Sequence, residues 1–230
     1  MSIEAIILLG APGAGKGTIA EALAAATDYV HISTGDMLRA AVKQGTELGR
    51  AADACMQKGN LVSDDLIVKM VVDHLSRGPA DRRYMFDGFP RTLAQAELLA
   101  GHFNKIRACL PLVFLLEVSR EVVLDRLTGR RVCRNCGAIF HIRNIPPKQA
   151  GRCDACGGEL IQRPDDMRAT IENRLDVFHR QTGDLIAYYD RQHLLVRVDS
   201  SRRKDQTVAD MLEIMRKTVS DESFCAARES

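Results

Sequence analysis

A glycine-rich turn, Gly10-Ala11-Pro12-Gly13-Ala14-Gly15-Lys16-Gly17-Thr18, follows directly on the apolar run Ala5-Ile6-Ile7-Leu8-Leu9. No other stretch limits the fold so tightly. An apolar run this short, closed by glycines, reads as a buried strand delivering the chain to a tight turn. The helix expected from about Gly15 to Ala26 then aims the positive end of its dipole at whatever the turn encloses. With no Cβ at Gly13, Gly15 and Gly17, successive backbone N–H groups of the turn, Ala14 included, can converge on one anion. Lys16 adds a mobile full charge for the β- and γ-phosphates, and Thr18 a hydroxyl near their metal ion. Gly17 stands where a strict phosphate-loop pattern has Ser or Thr, so a magnesium contact at this point is expected to be indirect. The segment as a whole predicts a phosphate cradle rather than a bare surface turn.

Further short strands are predicted at Val30-His31-Ile32, Tyr84-Met85-Phe86, Leu112 to Glu117 and Leu194 to Val198. Helical patterns separate them: Met37 to Lys43, Thr46 to Lys58, a helix opened by Ser63-Asp64-Asp65 and running to about Leu75, one capped by Thr92, one from Ser119 to Leu127, a long stretch from Met167, and Thr207 to Val219. Strands of this length alternating with helices predict an α/β fold with a parallel sheet covered on both faces. Ligands of such sheets sit beyond the carboxyl ends of the strands, where both the glycine turn and Asp87-Gly88-Phe89-Pro90-Arg91 fall. A chain of 230 residues with 46% hydrophobic content can bury one sizeable core and carry small insertions. Its net charge of +2 provides no global basic field, so nucleic acid is not the expected partner. The N-terminal apolar run is too short for a membrane span and lacks the basic flank of a signal peptide. A cytoplasmic protein is expected, and the polar segment 220–230 reads as a frayed tail.

Between Gly129 and Asp166 the helical period is lost and glycine and proline become frequent, as in an inserted module. Cys133 and Cys136 form one Cys-x-x-Cys knuckle and Cys153 and Cys156 a second, with sixteen residues between them. Each is followed by glycine, Gly137 or Gly157-Gly158, which permits the turn around sulfur. This is the spacing of a tetrahedral zinc site. Four thiolates leave no open position, so the metal is read as structural, and iron or cobalt would suit the same donors. So small an apolar content cannot order the module, whereas a metal contributing on the order of 10 kcal/mol can. Cys55 and Cys109 read as core residues, and Cys225 has no partner by spacing. Seven basic against four acidic residues in the module would also suit a nucleic-acid ribbon. The arginines at its hinges, Arg126, Arg130, Arg163 and Arg174, suit a lid over a polyphosphate better.

The phosphate loop, Ser33-Thr34-Gly35-Asp36-Met37-Leu38-Arg39, Asp87 to Arg91 with Gln95, Gly129-Arg130-Arg131, and Arg163-Pro164-Asp165-Asp166 leading to Arg174 occur in the order seen in adenylate kinases. The resemblance runs from Ile6 to about Val198, and is to the bacterial long form whose lid carries a four-cysteine zinc site. It implies a P-loop NTPase-type three-layer α/β sandwich with the core in 1–32, 63–128 and 167–230, a helical NMP-binding insertion at 33–62, and a zinc-binding lid at 129–166. The implied reaction is MgATP + AMP ⇌ 2 ADP, in a monomer that binds neither nucleic acid nor membrane.

By the same resemblance, Lys16 and Arg130 hold the ATP phosphates, Arg39 and Arg91 the AMP phosphate, and Arg163 and Arg174 reach between the nucleotides. Asp87 orients the waters of magnesium. Arg126, Ile139, Phe140 and Arg202 lie toward the ATP adenine. Thr34, Asn60, Leu61, Val62, Gly88, Phe89, Pro90 and Gln95 form the AMP pocket, with Thr34 and Gln95 as base-reading positions. Ile19 stands where many relatives have glutamine, and the loop 199–207 is longer and more basic than usual. A kinase of the same fold preferring UMP or CMP, and a zinc-stabilised binding protein without transfer activity, are the alternative readings.

Overall fold

The structure is a computed structural model that describes residues 3–78 and 82–219. The tail 220–230, Cys225 included, lies outside the described residues. Strand β1 (Glu4–Gly10) is followed by α1 (Lys16–Ala26), β2 (Val30–Ser33), α2 (Thr34–Lys43), α3 (Glu47–Gln57), α4 (Asp64–Ser76), β3 (Arg83–Asp87), α5 (Leu93–Ile106), β4 (Cys109–Glu117) and α6 (Arg120–Thr128). Then come β5 (Arg130–Cys133), β6 (Ile139–His141), β7 (Leu160–Ile161), a single turn of tighter helix at Pro164–Asp166, α7 (Arg168–Arg191), β8 (Leu195–Asp199) and α8 (Lys204–Val219).

Five strands form one parallel sheet in the order β2-β3-β1-β4-β8. β1 occupies its centre, and every residue from Ala5 to Gly10 is buried, which is why the run reads as continuously apolar instead of alternating. Its side chains still divide by parity. Ile7 and Leu9 join Phe86, Val113 and Leu115 under α4, α5 and α7, through Ile67, Val71, Leu99, Phe103, Leu185 and Tyr189. Ile6 and Leu8 join Met85, Leu112, Phe114 and Leu116 under α1 and α8, through Ile19, Leu23, Met211 and Met215. Helices thus cover both faces, giving three layers. Each fully buried side chain of this size contributes about 1.5–3 kcal/mol.

The chain leaves β1 toward β2 on one side and later reaches β4 on the other, so the order reverses beside β1. That reversal opens a crevice at the carboxyl end of β1, where the glycine turn lies. A second, antiparallel sheet, β6-β5-β7, occupies the cysteine-bearing segment. Its strands are two to four residues long, too short to leave a period in the sequence.

Several boundaries differ from expectation. β4 starts at Cys109, and α8 starts at Lys204 because the basic loop enters the helix directly. Ser63 precedes α4, yet its side chain makes no capping bond. Cys55 is half-buried beside the core, whereas Cys109 is disulfide-bonded and not the free core thiol expected from spacing.

Candidate active site

The phosphate loop turns on left-handed backbone at Gly13 (φ 80°) and Gly15 (φ 91°), with Gly15 directly before α1. A Cβ at residue 17 would stand 3.3 Å from Asp87 Oδ2, so the glycine in place of Ser or Thr lets the end of β3 approach the start of α1. Asp87 also lies 3.4 Å from His31 Nε2 on β2, a neighbour that no motif signalled. The Lys16 ammonium folds back over the loop and donates to Gly10 O at 2.7 Å and Ala11 O at 3.0 Å.

Burial pushes the pKa of Lys16 down to about 8, with Arg91, Arg174 and Arg130 adding repulsion and Asp87 opposing it. A polyphosphate arriving beside this ammonium favours its charged form and raises that pKa. Near pH 8, ATP binding is therefore expected to take up protons, and affinity to fall as pH rises further. Calorimetric titration in two buffers of different ionisation enthalpy checks this. Net uptake that disappears in Lys16→Met is the expected result, and buffer-independent heats in the wild type would contradict it.

A cleft of about 1070 Å³, open to solvent, extends from the loop between the sheet, α2 and α7. Lys16, Arg39, Arg91 and Arg174 line it, together with Thr34, Asn60, Leu61, Val62, Gly88, Pro90 and Gln95. Phe89 lies beneath, fully buried against Phe86, and the Phe89–Pro90 bond is cis. Thr34 donates to Gly88 O at 2.9 Å and Arg91 Nε to the same oxygen at 2.7 Å, leaving the outer guanidinium nitrogens of Arg91 without a protein acceptor in this network. Arg91 is exposed to the open cleft, whose walls keep its guanidinium from bulk solvent. Burial, then Arg174, brings its pKa down to about 10.

Arg163 is brought down to about 10 by burial, then by Arg39 and Arg130. Burial also lowers Arg174. These cations repel one another, the arrangement expected where anions are to be bound. Three carboxylates hold part of the set, Asp36 accepting from Arg39 Nε and Nη2 at 3.1 and 2.5 Å. Asp166, 0% exposed, takes Arg130 in a fork at 2.8 and 2.6 Å, and Asp165 accepts Arg174 through its carboxylate and its backbone oxygen, both at 2.9 Å. Both aspartates follow Arg163-Pro164 in the motif, but nothing in the sequence distinguishes them as partners of these arginines.

Arg126 spans two loops, with Nη2 donating to Ser200 O at 2.7 Å and Nη1 3.5 Å from Gly13 O. Arg202 faces Asp210 at 2.7 Å. In the small sheet Ile139 is 37% exposed, whereas Phe140, 8% exposed, packs with Cys133 and Cys153. His141 fastens this sheet to the end of α6. Its Nδ1 accepts from the N–H groups of Arg143 and Asn144, and its Nε2 lies 3.1 Å from Asp125 O.

The sulfurs of Cys133, Cys136, Cys153 and Cys156 all lie within 4.8 Å of one another. The Cys133–Cys156 and Cys136–Cys153 separations are 3.4 and 3.5 Å, near the sulfur spacing of about 3.8 Å implied by four bonds of ~2.3 Å in a tetrahedron. The N–H of Cys136, then that of Asn135, outweigh burial and pull the Cys133 thiol down to about 6, toward the thiolate that a metal needs. The cluster can hold a metal ion.

A glycine-turn phosphate cradle at the switch point of a parallel sheet, facing a cleft lined by Lys16, Arg39, Arg91 and Arg174, defines a P-loop phosphotransferase. The family model described as Adenylate kinase matches residues 8–194. An adenylate kinase of Caldicellulosiruptor bescii is 46% identical over 210 residues, covering 91% of this chain and 98% of its own. One of Desulforudis audaxviator is 47% identical over 207 residues (90% and 97%), and one of Methanocella arvoryzae 44% over 211 (92% and 98%). The chain belongs to the adenylate kinase family and is a nucleoside monophosphate kinase.

Proposed function

We propose that the chain transfers the terminal phosphoryl group of MgATP to AMP, with Lys16 and Arg130 on the ATP phosphates, Arg39 and Arg91 on the AMP phosphate, and Arg163 and Arg174 at the group in flight. The observation that carries this reading is the gathering of Lys16, Arg39, Arg91 and Arg174 around one cleft, where Lys16, Arg91 and Arg174 repel one another and Asp87 and Asp165 offset this only in part, with Arg163 repelled by Arg39 and Arg130. The acceptor phosphate has a second pKa near ~6 and is already largely ionised at neutral pH, so no strong base is needed. The work is electrostatic: two polyanions are brought together and charge is stabilised as it shifts between their oxygens.

Asp87, beside the loop, and the Thr18 hydroxyl would hold magnesium through its waters. When bound, that ion neutralises charge on the ATP phosphates. Backbone N–H groups of Gly13, Gly15 and Gly17 hold the same phosphates, with the Ala14 N–H bonding Ala11 O inside the loop, while Arg126, Ile139, the Phe140 backbone and Arg202 lie toward the ATP base. The segments 33–62 and 129–166 act as AMP-binding insertion and lid. Zinc in the four-cysteine cluster orders the lid, as its donor set has no open position for chemistry. Among the described residues no helix is long and apolar enough to cross a membrane, and a cytoplasmic monomer without nucleic-acid partners goes with this reading.

The apolar cleft wall of Leu38, Val62, Ile67, Val177 and Phe178 accepts a flat base, and the Gln95 amide at its edge favours adenine over a UMP or CMP preference. Phosphorylation rates with AMP, UMP, CMP and GMP test this. A clear preference for AMP is expected, and equal or faster turnover of UMP or CMP would overturn it.

A further inference from the structure

Gln95 lines the cleft yet is only 1% exposed, and its side-chain amide is held at both ends. Its Oε1 accepts the Arg91 backbone N–H at 2.7 Å, and its Nε2 donates to Asp64 Oδ1 at 2.7 Å. An amide oxygen and nitrogen have nearly the same shape, so an isolated glutamine can present either one. Here the two neighbours are unambiguous. A backbone N–H only donates and a carboxylate only accepts, so turning the amide over would oppose donor to donor at Arg91 and acceptor to acceptor at Asp64.

Asp64 is itself fixed. It is the first residue of α4, and its Oδ2 accepts the Thr92 hydroxyl at 3.1 Å. That hydroxyl in turn accepts the backbone N–H of Gln95, also at 3.1 Å, as the cap of α5. The starts of two helices thus hold one carboxylate, which holds one amide. Asp64 does not line the cleft.

The held amide keeps one N–H and one oxygen lone pair for a ligand, in a set order. A 6-aminopurine presents an acceptor at N1 and a donor at N6, whereas a 6-oxopurine presents the reverse, a donor at N1 and an acceptor at O6. A freely turning amide would pair with both; a fixed one pairs with one and leaves buried polar groups unpaired against the other. We propose that Asp64 is the positioning residue that locks the Gln95 amide in the orientation that accepts a 6-aminopurine monophosphate and rejects a 6-oxopurine. The inference rests on the placement of the AMP base at Gln95.

The test compares kcat/KM for AMP and for IMP, each with MgATP, in the wild type, Asp64→Asn, Asp64→Ala and the exposed neighbour Asp65→Asn. Asp64→Asn is nearly isosteric and can either donate or accept. The AMP-to-IMP ratio is expected to fall at least about tenfold in both Asp64 variants and to stay at the wild-type value in Asp65→Asn, which removes the same helix-terminal charge without touching the amide. Calorimetric affinities for AMP and IMP give the same ratio where a variant turns over too slowly to assay. A loss of equal factor for both nucleotides, or no change, would reduce Asp64 to a structural role and overturn the proposal alone. A wild type that does not favour AMP over IMP would overturn the placement of the base as well.

Discussion

Arg91→Ala is expected to lower kcat/KM for AMP by about 2 kcal/mol or more, roughly thirtyfold, while leaving the melting temperature unchanged or raised. The two halves of this expectation have the same origin. Arg91 Nε is committed to Gly88 O, which aims the remaining nitrogens into the cleft, where Arg174 and Arg39 repel the guanidinium. Without a bound anion the side chain is a source of strain between like charges, so its removal relieves the empty fold. With a phosphate present, the same removal leaves the anion without its forked donor, while Arg174 is already committed to Asp165. Steady-state kinetics with AMP as the varied substrate and a thermal melt without nucleotide separate the effects. An unchanged kcat/KM would remove Arg91 from the site.

Cys153→Ser is expected to abolish stoichiometric metal binding and to lower the melting temperature by about 5 °C or more, with turnover reduced but not lost. The small sheet buries few apolar side chains, Val132, Cys133 and Phe140 with Cys153 beside them and Ala138 and Leu160 partly covered, so hydrophobic burial supplies only a few kcal/mol there. A structural metal supplies more, and losing even 2–3 kcal/mol in a chain of this size displaces the melt by roughly 2–4 °C per kcal/mol. Activity falls because β5 carries Cys133 at one end and Arg130 at the other, so loosening the metal cluster also loosens Arg130. The rest of the cleft is built on the large sheet and keeps its geometry. Elemental analysis, a thermal melt and kinetics on one preparation check all three effects. Full loss of turnover with an unaltered melt would assign the metal a catalytic role instead.

The fold was legible where burial is continuous and the breakers are strong. Ala5 to Leu9 before Gly10, and Leu112 to Leu116, are strands whose apolar runs have no other use in a chain of this composition, and the loop glycines fix the turn that leads from β1 into α1. The short strands of the cysteine-bearing segment escaped because a strand of two to four residues between turns has no period to detect. The residues proposed to contact phosphate stood out in the sequence because charge at a strand end or in a glycine turn has few other uses. Their supports did not. Asp166, Asp64 and His31 each serve a residue distant in sequence, across 36, 31 and 56 positions, and acidic residues at helix starts are common for reasons of dipole alone. Phe140, implied beside the ATP base, packs its side chain against Cys133 and Cys153, a burial that its sequence pattern did not signal.

The central claim is that one cleft neutralises two nucleotides at once so that a phosphoryl group passes between them without a proton-abstracting side chain. Its most direct test is nucleotide stoichiometry, followed by phosphorus NMR on the purified, metal-loaded protein given ATP, AMP and magnesium. Two ADP formed for every AMP consumed, with equilibrium also reached from ADP alone, is the predicted result; ATP and AMP left unaltered, or ATP hydrolysed to ADP and inorganic phosphate with AMP untouched, would contradict it.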